Sequence, residues 1–403
     1  SFKKELSTLD FKKIKKLAEA QQDYMVEMRR YFHTHAEVSD HEFGTCKVLQ
    51  RELDSLNIPY ELLEGTGIIA TIQGGKPGKH RLLRCDIDAL PLQEEKENLS
   101  GAKVCVSEND GACHACGHDA HMAMMLGTAR VLAQVKDELE GTVYCCFEEG
   151  EESNGGIATM MKALEKYTVD ECFALHVYNA LEVGKISMVA GPRMAGAVRF
   201  DMTFHGRAGH GSRPDLSINP IVPAAHMVGE LDSTLRNQLN AESIATLGLC
   251  TFRAGDTWNI IPETAFLSGS ARYFDKEAGP QVLDLIKKSA EATASIHRCT
   301  VTYEPTTKVI LEPVINDPAV AARVSDGLAE MCGADVLDQD CGRWYASETF
   351  SRYMEKCPGA LGLLGIKNEK LGSGAPHHNG KFDLDEHAMV LGACSELVFA
   401  LKN

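Results

Sequence analysis

No run of apolar residues in this 403-residue chain approaches the roughly 20 that a helix needs to cross a bilayer. That shortage argues against a membrane protein. Positive charge is scarce as well: 41 Lys and Arg stand against 57 Asp and Glu, for a formal net charge of −16. A phosphate backbone is held mainly by clustered Lys and Arg that release its counterions, so this balance opposes nucleic-acid binding. The Lys-rich stretch 3–16 is the local exception, and it reads as the solvated face of an N-terminal helix that also carries Phe2, Leu6, Phe11, Ile14 and Leu17. No internal repeat or low-complexity tract interrupts the chain, and no secretory signal is visible at its start.

Cysteine, by contrast, is plentiful. Fourteen would suit a disulfide scaffold, but such frameworks serve short secreted chains, and Cys85, Cys145, Cys146 and Cys172 lie inside apolar, strand-like runs. Buried free thiols and a reducing cytoplasm are therefore expected. The chain begins at Ser1, and removal of a leader before it stays open.

Length and composition fit a soluble globular protein with one large domain and a smaller one, at 44% hydrophobic and 24% charged residues. The first half alternates β-like runs (68–72, 81–85, 143–147 and 172–177) with helical patterns, among them a long one over about 119–139. This alternation predicts an α/β fold, a mostly parallel sheet covered by helices, with reactive groups beyond the carboxyl ends of the strands. Three strands lead into such groups: Asp86 and Asp88, Glu148 to Glu152, and His176. From about residue 193 the texture changes to amphipathic β-like segments around two helical stretches, which predicts an inserted smaller α+β domain over 193–305. Residues 1–192 and 306–403 are expected to form the two parts of the main domain.

The most specific segment is His114-Ala-Cys-Gly-His-Asp-Ala-His121, just before a long apolar helix. Cys116 and His118 flank a short turn where two side chains can converge, and Asp119 is placed to cap the helix. A thiolate with an imidazole suits a borderline metal such as zinc. Cys113 and Cys116 have CxxC spacing, but no second pair follows at zinc-ribbon distance. His121, on the first helical turn, either stands behind the ligands or is merely exposed. Glu148-Glu-Gly-Glu-Glu152 would by itself be a solvated acidic loop, His176 a satisfied core histidine, and the stretch from Pro376 to Glu386 a polar loop. A metal-bound carboxylate beside one free to take a proton from water is, however, what metal-assisted hydrolysis needs.

Taken in order, the motifs resemble the metallo-aminoacylase and carboxypeptidase family, in its branch of hippurate hydrolases, N-acyl-amino-acid amidohydrolases and plant auxin-conjugate hydrolases. Besides the His114–His121 segment, the resemblance rests on several others: His33-Thr-His-Ala-Glu37, Arg84-Cys-Asp-Ile-Asp-Ala-Leu-Pro91, Glu151-Glu152 before Gly155-Gly156, and Leu175-His176. It continues through Gly206-Arg-Ala-Gly-His210, Asn259-Ile-Ile-Pro262, and His378 before Phe382 and Asp385-Glu386. It covers nearly the whole chain. It implies metal ligands Cys116, His118, Glu152, His176 and His378, with Glu151 as general base and Asp88 orienting a ligand. It further implies that His210 reaches a neighbouring subunit's site to polarise the scissile carbonyl, and that Asn259 and Arg272 contact a substrate carboxylate. Glu148 and Glu149 stand where this branch often has Gln and Pro, and Ala36 and Gly380 replace common prolines.

The activity implied is hydrolysis of the amide bond of an N-acyl amino acid, giving a carboxylic acid and a free amino acid. Two divalent ions are implied, Zn2+ or Mn2+, with Co2+ or Ni2+ as alternatives. A dipeptidase, carboxypeptidase or aminobenzoyl-glutamate hydrolase would use the same site, and a catalytically silent metal-binding relative is a further alternative. The partners expected are a small N-acyl amino acid or dipeptide and a second copy of the chain in a homodimer, with the inserted domain as lid and dimerisation element.

Overall fold

The computed structural model describes residues 10–403. Phe2 and Leu6 of the expected N-terminal helix lie outside them; the helix observed there is Phe11–Glu19, with Phe11, Ile14 and Ala18 buried and Asp10 capping its start. The described residues form two compact units.

The larger unit comprises the chain up to Gly191, Asn316–Gly342 and Arg352–Asn403. Its seven-stranded sheet runs in the order Tyr60–Leu62, Ile68–Gln73, Glu140–Glu148, Lys76–Asp86, Glu171–Glu182, Gly359–Lys367 and Ile186–Ser187. The four central strands are mutually parallel, and the outer three pair antiparallel. Every residue from Glu171 to Val177 is buried, so both faces of that strand are covered, as parallel strands require. The helices His118–Gln134 and Ala388–Leu401 are buried almost all round and join one continuous hydrophobic core with the sheet. The expected helix to residue 139 stops at Gln134, and its last five residues form turns that still bury Val135 and Leu139. All fourteen cysteines are free, and those in the central strands are buried.

The smaller unit spans Pro192–Ile315 and takes in Arg343–Ser351. Its antiparallel sheet runs Ala245–Ala254, Thr264–Tyr273, Gly196–His205, Thr300–Tyr303, and Lys308–Leu311 also pairs with Gly196–His205. That last pairing is why the unit extends past the expected boundary at residue 305. Helices Ile221–Gln238 and Ala278–Ile296 pack their apolar faces on this sheet around Phe200, Phe204, Met227 and Ile286. No helix among the described residues is long and apolar enough to cross a membrane.

Candidate metal centre

Three parallel strands of the larger unit deliver chemistry at one edge. Lys76–Asp86 ends on Asp86 with Asp88 just beyond, Glu140–Glu148 ends on Glu148, and Glu171–Glu182 carries His176. Opposite them, Gly117 takes a left-handed φ of 87°, and a Cβ there would stand 2.3 Å from Val177 Cγ2. Backbone and close approach therefore both demand glycine. The consequence is that Cys116 and His118, on either side, are laid against the strand that bears His176.

Asp119 does not cap the helix. The N-cap is Gly117, without a side-chain bond, and Asp119 turns instead to the buried Arg29 and His33. Two buried cations outcompete backbone N–H groups for a carboxylate.

The donor atoms converge. Cys116, His118 and His176 bring ligand atoms within 4.8 Å of one another, and so do Cys116, Glu152 and His378. Cys116 Sγ lies 3.6 Å from His176 Nε2, and Glu152 Oε1 lies 3.1 Å from His378 Nε2 and 3.8 Å from His118 Nε2. His378 has a left-handed φ of 58°, which costs a non-glycine residue roughly 1–2 kcal/mol. Its backbone N–H donates to the carbonyl of Ala115 at 2.9 Å, which ties its loop to the Cys116 turn.

Hydrogen bonds behind these donors select which nitrogen faces inward. His118 Nδ1 donates to the carbonyl of Asp88 at 2.8 Å, and His176 Nδ1 donates to that of Val177 at 2.7 Å. A carbonyl only accepts, so the Nδ1 atoms hold their protons and the Nε2 atoms are left to bind a cation. Asp88 adds Oδ1 at 3.1 Å from His118 Nδ1, while its Oδ2 accepts from Ser39 Oγ and from the N–H of Glu152. His121 is fully buried rather than exposed: Nδ1 donates to Asp86 Oδ1 at 2.6 Å and Nε2 accepts the N–H of Val177 at 3.0 Å.

Charge follows the same geometry. Burial pulls His176 well below the ordinary imidazole value, with His121 adding to the effect. Burial also opposes a proton on His118, but Asp86, Asp88 and Cys116 overcome it and raise its pKa well above normal. Burial and Glu152 push the Cys116 thiol far up. For Asp88, bonds from His118 and Ser39 outweigh burial and hold the carboxyl below its usual range. The pocket is thus one whose field draws cations. Two of its buried atoms, His118 Nε2 and Glu152 Oε1, have no hydrogen-bond partner in the protein. A divalent ion fits such a set, because buried polar atoms without a hydrogen bond are costly, and together with Cys116 these atoms make a donor set of mixed thiolate, imidazole and carboxylate type.

The acidic run divides by partner. Glu148 meets Arg84 Nε and Tyr353 Oη at 2.8 Å each, and Glu149 accepts from Thr66 and Gly67. Glu152 faces the donors, and half-buried Glu151 sits beside it in the turn. Asp86, which Arg84 also contacts at 3.0 Å, and His121 adjoin this site; the sequence placed Asp86 among the reactive strand ends and left His121 between standing behind the ligands and being exposed.

Three of the expected residues belong to the smaller unit. His210 is exposed, pairs across a short ribbon with Ile260, and bonds Ser212 Oγ through Nδ1. Asn259 adjoins it, its carbonyl accepting the N–H of Gly211. Arg272 stands eight residues beyond Thr264, roughly 27 Å of extended strand from where that ribbon branches off. One copy of this unit therefore does not bring Arg272 to His210 and Asn259.

Residues 82–398 match the family model described as Peptidase family M20/M25/M40. The chain is 33% identical over 376 residues to N-acetylcysteine deacetylase of Bacillus subtilis, covering 92% of this chain and 94% of that one. It is 31% identical over 388 residues to thermostable carboxypeptidase 2 of Saccharolobus solfataricus, covering 94% and 95%. Among solved structures it resembles the YXEP protein of Bacillus subtilis, described as a dinuclear metal binding peptidase from the M20 family. The TM-score is 0.80 at 30% identity, over 95% of this chain and 98% of that one. The chain accordingly belongs to peptidase family M20/M25/M40 and is a hydrolase of amide bonds.

Proposed function

We infer that the protein is a metal-dependent amidohydrolase that splits N-acyl amino acids into a carboxylic acid and a free amino acid. The observation that carries this reading is the convergence of Cys116, His118, Glu152, His176 and His378, with His118 Nε2 and Glu152 Oε1 buried and without a hydrogen-bond partner. These five side chains would hold two divalent ions, and the thiolate favours Zn2+ over Mn2+, Co2+ or Ni2+. When bound, such ions polarise an amide carbonyl and lower the pKa of water.

The chain's own residues do the rest. Glu151, next to the ligand Glu152, takes the proton from the attacking water and returns it to the leaving amine nitrogen. Asp88 fixes the ring of His118 and the backbone of Glu152. His210 stabilises the oxyanion, and Asn259 and Arg272 receive the substrate carboxylate. The separation of Arg272 from His210 and Asn259 within one copy supports a homodimer, in which the smaller unit serves as lid and dimerisation domain. A deacetylase of an N-acyl amino acid and a carboxypeptidase among the relatives support a substrate with a free carboxylate beside the scissile amide. A carboxypeptidase or dipeptidase reading shares that requirement, and a panel of N-acyl amino acids and dipeptides separates the two.

The testing variant is Glu151→Gln. Loss of a general base lowers kcat by about 10²- to 10⁴-fold, while metal content by elemental analysis stays at the wild-type level. Wild-type turnover in this variant removes Glu151 from the mechanism.

A further inference from the structure

A second group of potential metal ligands lies behind the site: His33, Glu94 and Cys113 also bring ligand atoms within 4.8 Å of one another. Its surroundings assign it a different part. His33 is wholly buried, and both of its nitrogens meet carboxylates, Nδ1 at 2.8 Å from Asp119 Oδ2 and Nε2 at 2.8 Å from Glu94 Oε1. An imidazole that donates from both nitrogens is an imidazolium. Arg29 Nε adds 2.9 Å to the same oxygen of Asp119, and Lys103 Nζ adds 2.8 Å to the same oxygen of Glu94. A metal ion would meet three cations here. The cation that fills the place is His33 itself, and the bonds to Asp119 and Glu94 raise its pKa against the opposing effects of burial and Arg29.

The two carboxylates lead to different loops. Asp119 follows His118 directly and begins the helix that the Cys116 turn enters. Glu94 leads the other way: Lys103, held on Glu94, also donates to the carbonyl of Gly380 at 2.7 Å, and the N–H of Glu95 donates to that carbonyl at 3.0 Å. Gly380 lies two residues past His378. Ser107 N–H closes the Glu94 side with a 2.6 Å bond.

We propose that His33 is a positioning residue whose imidazolium ties the loop of Cys116 and His118 to the loop of His378, setting the spacing at which these donors meet. The inference rests on reading those three residues as metal ligands. It also gives a role to the His33–Glu37 segment. Within it, His35 is not part of the tie, for it is exposed and stacks on Tyr31 at 4.2 Å.

The test is a titration of chelator-stripped protein with Co2+, read by calorimetry and by the visible absorption of the bound ion, in wild type, His33→Ala, Glu94→Gln and the control His35→Ala. Partners that orient metal ligands typically contribute about 10- to 100-fold in metal affinity. His33→Ala is expected to lose that much and to shift the visible bands, Glu94→Gln to lose several-fold, and His35→Ala to match wild type. A purely structural role would lower the melting temperature while leaving Co2+ affinity and spectrum in place, and that result overturns the proposal. If His33→Ala does not fold, Glu94→Gln decides, and wild-type affinity in it overturns the proposal equally. A wild-type protein that takes up no Co2+ overturns the ligand reading and this one together, whereas tight wild-type binding with unaffected variants overturns this one alone.

Discussion

Replacing Asp88 separates two tasks that one carboxylate performs at once. Its Oδ1 lies 3.1 Å from His118 Nδ1, and its Oδ2 accepts from Ser39 Oγ at 2.6 Å and from the N–H of Glu152 at 3.0 Å. The backbone carbonyl of Asp88, 2.8 Å from the same Nδ1, survives any substitution. Asp88→Asn therefore keeps the proton of His118 on Nδ1 and still offers an amide oxygen to Ser39 or Glu152. Asp88→Ala offers neither, so the turn that aims Glu152 loses its anchor while the ring of His118 keeps one of two acceptors. Contacts of this kind contribute about 10- to 100-fold in metal affinity, or about 1.4–2.8 kcal/mol at a tenfold change per 1.4 kcal/mol. Asn is expected near the lower figure and Ala near the upper. The assay is competition for Zn2+ between chelator-stripped protein and a chromophoric chelator, with circular dichroism to verify the fold. Equal Zn2+ affinity in wild type and Asp88→Ala would refute the reasoning. An Asn variant as weak as the Ala variant would also refute it, since charge and not hydrogen bonding would then be what matters.

Two further outcomes follow from burial and from mass action. Glu396 is fully buried on Ala388–Leu401, and burial raises its pKa from 4.5 to about 8 against the lowering effect of the Thr128 hydroxyl. Between those values the folded chain keeps a proton that the unfolded chain has released, so this group's stabilisation is complete below pH 4.5 and is lost as pH rises through 8. The loss is about 1.4 kcal/mol per pH unit and at most roughly 5 kcal/mol in all. Glu396→Gln should flatten that slope, with a higher urea midpoint than wild type at pH 8.5 and near-equality at pH 5; parallel pH curves for the two proteins would contradict it. Metal removal should destabilise the larger unit, because an ion at 100 times its Kd adds about 2.7 kcal/mol by binding the folded state alone. Urea unfolding with EDTA and with Zn2+ measures that increment, and Cys116→Ser should shrink it; an increment unaffected by the substitution would remove Cys116 from the ligand set.

The parallel core was legible because its strands are short apolar runs ending in polar residues, and alternation with helical patterns leaves few arrangements. The antiparallel edges were not. Tyr60–Leu62 and Ile186–Ser187 are too short to carry a pattern, and only their partners in space define them. The helix from His118 was expected to run on because Val135 and Leu139 keep its apolar spacing, and both are indeed buried, but in turns. Hydrophobic periodicity reports burial, and several backbones can supply it. The smaller unit's far boundary was missed for a related reason: Lys308–Leu311 pairs with Gly196–His205, a contact more than a hundred residues distant in sequence that local spacing does not register.

For the site, the acidic run shows how far residue types alone can take the reading. Four glutamates within five positions look interchangeable, yet Arg84 and Tyr353 engage Glu148, Thr66 and Gly67 engage Glu149, and Glu152 faces His378 and His118. What separates them is the identity of the partners, which come from distant segments. His121 had a signal that could have been used. Residues three apart on a helix share a face, and residues two apart along an extended segment share a side. His118 and His121 are such a helical pair, with ring centroids 5.4 Å apart, and Asp86 and Asp88 are such an extended pair. The structure bonds His118 Nδ1 to Asp88 and His121 Nδ1 to Asp86, whose other oxygen also lies 3.4 Å from His118 Nε2. Two carboxylates at a strand end facing two histidines at a helix start form a ladder in which each step requires the other. A ligand histidine can be placed by its own carboxylate, but the second step fixes the helix against the strand, and through the N–H of Val177 it also fixes the neighbouring strand that carries His176.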